Sequence, residues 1–335
     1  MLRRIISGLF ILVATVSFAQ QQEQYSMYMM NNFLVNPAEG GTEEFIDLKI
    51  GYRTQWVGVD NNALAGNRNG APRTVFLSGH APIGKKTSRF DDVDPLPHHA
   101  AGAMVAKDVA GLWDVLNVKG SYSYHLPVSH ELMVSFGAFF GIQQYKYDGS
   151  NAEYAPGFTG ETDPLFSGAQ TKLLPDASFG VWAYTKTYYF GISSFQLFGN
   201  KMNLVNSDAA TSDSVKAQGA LARHYWLTGG YKIDLTEKYF LVPSLVVKYA
   251  SPAVPQIDIN AKFRYEDKAW VGVSYRNMDA VVGMLGVTYK NLVDLAYAYD
   301  FGLSKLRYGH SGSHEILVGL RLPNHEHEPP PAQFW

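Results

Sequence analysis

Apolar and polar residues alternate along most of the chain from Ile46 onward. Val293, Leu295, Tyr297, Tyr299 and Phe301 take turns with Asp294, Ala296, Ala298 and Asp300. The same period of two runs through Ile46, Leu48, Ile50, Tyr52, Thr54 and Trp56 against Asp47, Lys49, Gly51, Arg53 and Gln55. It recurs in Ile257, Ile259, Ala261, Phe263 and Tyr265 against Asp258, Asn260, Lys262, Arg264 and Glu266. Such a period places one set on each face of a β-strand. Stretches of about 9 to 11 residues suit a tilted membrane-crossing strand better than a soluble strand of about 5 to 6. The alternation predicts strands over 46–57, 73–81, 98–108, 113–126, 131–145, 175–185, 187–197, 220–234, 239–249, 256–266, 268–276, 280–290, 291–301 and 314–322. The fold class is therefore all-β: a transmembrane antiparallel β-barrel of about 14 strands in the outer membrane, an even number as in bacterial barrels. Glu131–Tyr147 fits less cleanly, because Met133 and Phe139 interrupt its polar face.

Connection lengths supply an orientation. Those at 127–130, 185–187, 235–238, 266–268 and 290–291 are very short, whereas 58–72, 146–174, 198–219 and 302–313 are long and rich in Gly, Asn, Asp and Ser. Short turns belong to the periplasmic side and long loops to the cell surface, which puts both termini in the periplasm. The charged connection Pro82–Pro97 breaks the pattern as a long periplasmic segment, a place for a partner contact.

Outside the repeating strands, residues 1–19 read as a signal peptide. Arg3 and Arg4 precede the apolar run Ile5–Phe18, and Ser17-Phe18-Ala19 forms a small-x-small cleavage pattern. Residues 20–44 form a periplasmic N-terminal plug or docking segment, 45–322 the barrel, and 323–335 a Pro-rich C-terminal tail. Tyr25, Tyr28, Met29, Phe33 and Leu34 make an apolar knot too short to fold alone, ended by the Asn36-Pro37 turn, and expected to pack on the periplasmic mouth. Arg53 and Gln55 are expected to point inward and Trp56 outward.

Composition sharpens this picture. There are 21 Tyr, 19 Phe, 6 Trp and 31 Gly, with 17% charged residues, as interfacial girdles and tight turns require. Removing Arg3 and Arg4 with the signal takes the formal charge from −2 to −4, which gives no support to nucleic-acid binding. The absence of cysteine excludes disulfides, thiolate metal sites, a cysteine nucleophile and a lipoprotein anchor. After the signal no run reaches the roughly 18 apolar residues of a membrane helix, so a membrane form must be a closed barrel.

Candidate chemistry is sparse. Ser78/His80 and Ser123/His125 place a hydroxyl and an imidazole on one face of a strand, as a lipid hydrolase would need, but neither an orienting carboxylate nor an oxyanion donor is legible. Polar residues point inward in any barrel, which is the simpler reading. His98-His99, His310 and His314 read as lumen or surface histidines, and His325-Glu326-His327-Glu328 as part of a disordered tail; no metal or cofactor is expected. Asp108, Asp114, Asp294, Asp300, Lys262, Arg264 and Glu266 project into the lumen or its mouths, as a selective pore or a salt-bridged filling, with the filling favoured.

The stretch Gln24–Gly58 resembles the opening signature of the PorP/SprF family of outer-membrane proteins of the type IX secretion and gliding-motility apparatus. The matching positions are Gln24, Tyr25, Tyr28, Met29, Asn36, Pro37, Ala38, Gly40, Tyr52, Arg53, Gln55 and Trp56, followed by Ala71-Pro72-Arg73-Thr74. Tyr299-Asp300 and Ser313-His314-Glu315 resemble the closing elements of the family. The tail after Leu322 departs from the pattern. The resemblance implies a non-enzymatic barrel, in contact with outer-membrane lipid, that assists export or surface retention of a large type IX-secreted, adhesin-like protein with a C-terminal sorting domain. Its partners would be that protein and components of the secretion apparatus. Tyr25, Tyr28, Met29, Asn36, Pro37, Tyr52, Arg53, Gln55, Trp56, Pro72, Tyr299, Asp300, His314 and Glu315 are its signature or partner-binding candidates. A passive or substrate-specific porin is the alternative, and an outer-membrane lipid hydrolase the third. Asp213-Ser214-Val215 resembles the O-glycosylation acceptor of bacteria that carry such systems.

Overall fold

The chain is described from a computed structural model, over residues 22–59, 70–84, 96–148, 169–203 and 218–324. Residues 1–19, the Asp213–Val215 tripeptide and His325–Trp335 lie outside the described residues, as do the central parts of the 58–72, 82–97, 146–174 and 198–219 connections.

Fourteen antiparallel strands form one closed sheet. They are β1 (Ile46–Thr54), β2 (Arg73–Ile83), β3 (His98–Ala110), β4 (Trp113–Pro127), β5 (Met133–Asp148), β6 (Ala169–Tyr184) and β7 (Tyr188–Phe195). After the 196–223 connection come β8 (His224–Tyr231), β9 (Tyr239–Ala250), β10 (Gln256–Tyr265), β11 (Ala269–Arg276), β12 (Ala280–Tyr289), β13 (Val293–Gly302) and β14 (Ser313–Leu322). Each strand pairs with the next, and β1 pairs with β14 from Ile46↔Leu322 to Thr54↔His314, which seals the ring. A short ladder, Lys201–Asn203 with Gln218–Ala220, stands apart from it.

Each predicted strand has its counterpart. At the turn end lie the connections 128–132, 185–187, 235–238, 266–268 and 290–292 together with 84–97; at the loop end lie 55–72, 149–168, 196–223 and 303–312 with three shorter ones. No helix among the described residues is long and apolar enough to cross a membrane. The outward set is apolar and solvent-accessible, including Ile50, Leu77, Phe140, Ile192, Ile259, Val271, Leu285, Leu295 and Ile316. A closed sheet with such an outer band leaves no unpaired backbone edge for lipid to meet. Replacing Leu295 on this band by Arg is expected to cost about 2 to 4 kcal/mol at the bilayer midplane, read as a fall in the folded, heat-modifiable band on unheated gels.

The lumen is filled. Tyr25–Phe45 runs inside the ring, with three single turns of 3-10 helix at Tyr28–Met30, Asn32–Leu34 and Pro37–Glu39. Its apolar side chains Tyr25, Tyr28, Met29, Met30, Phe33, Leu34 and Val35 pack with the inward-facing Phe76, Met104, Phe139, Phe195, Trp226, Trp270, Met284 and Leu317. The knot expected at the periplasmic mouth is thus inside the barrel. The reason is the wall itself: apolar side chains on the inner face need cover, and the knot provides it. Met133 and Phe139, which interrupted the alternation of β5, are both buried on that inner face.

Candidate functional site

The plug is held at three levels. Nearest the loop end, Ser26 sits in a buried ion network. Its backbone N–H donates to Glu315 Oε2 at 2.7 Å and its hydroxyl to Asp300 at 2.7 Å, while the N–H of Met27 donates to Glu315 Oε1 at 3.1 Å. Arg53 reaches Ser26 Oγ at 2.6 Å, Asp300 at 2.8 Å and Glu315 at 3.2 Å. Arg276 reaches Asp300 and Asp279 at 3.2 Å each and Asp258 at 3.5 Å, and Lys248 lies 3.0 Å from Asp258. Four strands, β1, β11, β13 and β14, thereby close on one serine of the plug. Buried charges are tolerated only when paired and hydrogen-bonded in this way.

At the middle level, the plug backbone lies against a row of inward glycines. A Cβ on Gly137 would fall 2.5 Å from the backbone of Pro37 and Ala38, one on Gly180 2.0 Å from Asn36 Oδ1, and one on Gly191 2.2 Å from the Trp182 ring. In that space the Asn36 amide donates to the carbonyls of Val181 at 3.0 Å and Ile192 at 3.2 Å, and its oxygen caps Ala38 N–H at 2.9 Å. Ser135 and Ser193 donate to the carbonyls of Ala38 at 2.5 Å and Val35 at 2.6 Å.

Near the turn end, histidines receive the chain. Gly41, at φ +85°, donates its N–H to His80 Nδ1 at 3.1 Å, and its carbonyl meets His98 Nε2 at 3.1 Å. The Gly40 carbonyl meets Ser123 Oγ at 2.6 Å and His125 Nε2 at 2.9 Å, and His98 stacks on His125 at 4.2 Å. Asn31 donates to Ser78 Oγ at 2.8 Å. The Ser78/His80 and Ser123/His125 pairs, read from sequence as a conceivable hydrolytic arrangement, are thus engaged in holding the plug.

Because His80 Nδ1 accepts from Gly41, its proton sits on Nε2, 3.5 Å from Glu39 Oε2. Glu39 belongs to the plug and to no strand. Burial pushes its carboxyl up to about 8, against the pull of Lys49 and with the help of Asp47 and Glu43. The folded protein keeps this proton to about pH 8, whereas an unfolded chain releases it near 4.5. Stability linked to Glu39 is therefore fully present below pH 4.5 and is lost as pH rises towards 8. Glu39→Gln is expected to remove that decline, measured as thermal midpoints at pH 5, 7 and 9: wild type should fall relative to the variant.

Above the plug, at the loop end, opens a vestibule of about 980 Å³, with Gln22, Glu23 and Gln24 on its floor and Gln55, Trp56, Pro72, Trp113 and His310 among its walls. Trp56, expected outward, instead takes a left-handed backbone (φ 51°) and donates its N–H to Ser313 Oγ at 3.2 Å. The chain leaves β1 there by a sharp turn, which ends the alternation.

The sequence candidates thus sort into groups. Arg53, Asp300 and Glu315 converge on Ser26. Tyr25, Tyr28, Met29, Asn36 and Pro37 form the plug; Tyr25 meets Phe76 edge-on at 5.1 Å, and Tyr28 hydrogen-bonds Asn260. Gln55, Trp56 and Pro72 line the vestibule. Tyr52, Tyr299 and His314 stand apart on the outer wall near the loop end, where the His314 ring lies 5.1 Å from Tyr299 and its Nδ1 meets Tyr297 OH at 2.6 Å. The lumen charges form a filling: Arg321 pairs with Asp294 at 2.7 Å, Arg264 with Asp267, and Lys119 with Asp176 at 2.5 Å. Sequence reasoning passed over Ser26, Arg276, Asp258 and the glycines. Glycine recurring at inward positions of adjacent strands was the available signal. Among the described residues no cluster of His, Cys, Asp and Glu has the geometry of a metal site.

Residues 17–320 match the family model described as type IX secretion system membrane protein PorP/SprF. No curated protein sequence matches the chain. Similar solved structures include a Pseudomonas aeruginosa FadL homologue (10% identity, 87% of this chain and 93% of that one, TM-score 0.49). The CymD monoaromatic hydrocarbon channel (12%, 88% and 93%, 0.47) and the Acinetobacter baumannii outer membrane protein Omp33 (9%, 84% and 100%, 0.44) are others.

Proposed function

We propose, since this chain belongs to the PorP/SprF family of type IX secretion system membrane proteins, that it is a non-enzymatic outer-membrane barrel working by contact. It assists export or surface retention of a large, adhesin-like protein bearing a C-terminal sorting domain, and meets components of the secretion apparatus on the periplasmic side. The observation that carries this reading is the filled lumen. Tyr25–Phe45 is buried and tied to the wall at three levels, which speaks for the two ends of the barrel, and against a through-channel, as the working surfaces. The porin alternative loses its support accordingly.

In this reading the turn end faces the periplasm and the loop end the cell surface, as in bacterial barrels. Gln22, on the vestibule floor, then lies on the surface side, whereas Leu322 and Asn324, which holds the Pro82 carbonyl at 3.1 Å, lie on the periplasmic side. The first and last described residues, Gln22 and Asn324, thus lie at opposite ends of the ring in this reading. The plug connects the two compartments' faces of the protein directly.

The experiment is a surface proteome of a deletion strain beside its parent. Loss of one or a few large surface proteins, with other outer-membrane proteins intact, is expected. Unchanged export together with lost uptake of a small solute would hand the case to the porin.

A further inference from the structure

We propose that the loop-end vestibule is a binding site for a neutral saccharide chain. The charged groups facing it are already engaged. Glu23 accepts from Asn117, Asp108 from Thr74 Oγ1 at 2.6 Å, Asp279 pairs with Arg276 at 3.2 Å, and Asp300 with Arg53 at 2.8 Å. An anionic ligand would find Arg53 already engaged by Asp300 and Glu315, and a cationic one at Asp279 or Asp300 would have to displace an arginine and leave it uncompensated; Glu23 and Asp108 are held by neutral donors.

What the cavity leaves over is amide and aromatic surface. The side chains of Gln22, Gln55 and Asn277 line it and hydrogen-bond no other described residue. A carboxamide presents a donor and an acceptor side by side, which matches two adjacent hydroxyls, each itself donor and acceptor. Trp56 and Trp113 add two half-buried indoles on the same walls. Their flat apolar faces suit the C–H face of a pyranose; the Trp56 ring lies beside His310 with centroids 6.5 Å apart, its backbone N–H fixed on Ser313 Oγ, and Trp113 packs against Tyr147 at 5.1 Å. The volume, about 980 Å³, lies within the range of ligand cavities. Because Gln22 belongs to the plug, a saccharide seated here touches the element that fills the lumen. The site depends on the orientation proposed above only for the side from which its ligand arrives; binding by the purified protein is independent of the secretion reading.

Calorimetric titration of the full-length protein in detergent tests it. The probes are mannotetraose, chitotetraose, O-polysaccharide released from the cell's own lipopolysaccharide, and glycans released from its surface proteins; the last two separate a membrane source from a protein source. Saturable binding of at least one is expected, weakened about tenfold by Trp56→Ala and severalfold by Gln55→Ala. Both variants should remain heat-modifiable; if Trp56→Ala fails to assemble, Gln55→Ala and Asn277→Ala decide. No saturable heat from any of the four probes overturns the proposal. So does binding that Gln55→Ala and Asn277→Ala leave unchanged, or equal competition by tetralysine.

Discussion

Arg53→Leu is expected to lower the stability of the folded barrel by about 3 to 5 kcal/mol, the cost of removing one member of a buried charge network. Arg53 is fully buried and answers two carboxylates and a hydroxyl: Asp300 at 2.8 Å, Glu315 at 3.2 Å and Ser26 at 2.6 Å. With leucine in its place, Arg276 still faces Asp300, but Glu315 keeps only the backbone N–H groups of Ser26 and Met27. Lysine would retain the charge without the planar fork that serves several acceptors together, so Arg53→Lys should recover only part of the loss. The double variant Arg53→Leu/Glu315→Gln should be milder than Arg53→Leu alone, because the orphaned charge is gone. The measurement is the temperature at which the heat-modifiable band disappears, with proteolysis of residues 22–45 as the local readout. An unchanged midpoint would show that the network is not holding the plug.

Gly137→Ala should release the plug with a single methyl group. The new Cβ would fall 2.5 Å from three backbone atoms of Pro37 and Ala38. Neither side can readily yield. β5 is fixed by its register on both flanks, Ser123↔Gly137 and Gly137↔Gly180, and Pro37 has a locked φ. Overpacking of this kind costs about 1 to 3 kcal/mol, and here the cost falls on the plug rather than on the ladder. Planar-bilayer recording gives the readout: a closed baseline for wild type and conductance steps for the variant. Gly120→Ala is the control, since a Cβ there meets nothing within 4 Å. Steps of equal size in wild type would mean that the lumen is not sealed by residues 22–45.

The barrel was legible because the period of two runs along strands long enough to cross a bilayer, from which an apolar outer band follows. Its inner face was harder to read. Met133 and Phe139 looked like faults in β5, yet Phe139 packs on Phe33 at 5.0 Å and is fully buried. Such residues signal a lumen that is a core, but alternation alone cannot tell an apolar residue facing a plug from a break in the pattern. The ends of strands moved for a similar reason. β6 begins at Ala169, before the expected 175, because it keeps pairing with β5 beyond the membrane band. Arg53, Asp300 and Glu315 were singled out by their resemblance to a family signature. Their convergence on Ser26 was out of reach, since it joins residues up to 289 positions apart. The Ser/His pairs were placed correctly on one face; their engagement depended on where the backbone of Gly40 and Gly41 would lie.

A cylinder with its former still inside raises the question of how it is wound. The plug touches β1 to β7, β10, β11, β13 and β14 by hydrogen bonds, and the seam between β1 and β14 runs the full length of β1. A ring completed empty would expose its inner phenylalanines and tryptophans and leave Glu315 and Asp300 without Ser26. Sealing around an occupied interior meets neither cost. β14, the last strand of the ring in chain order, carries the carboxylate that grips Ser26, one of the first described residues of the chain. The seam that joins the two edges of the sheet therefore shares its strand with the grip on Ser26, so that a closed ring and a filled interior depend on the same residues.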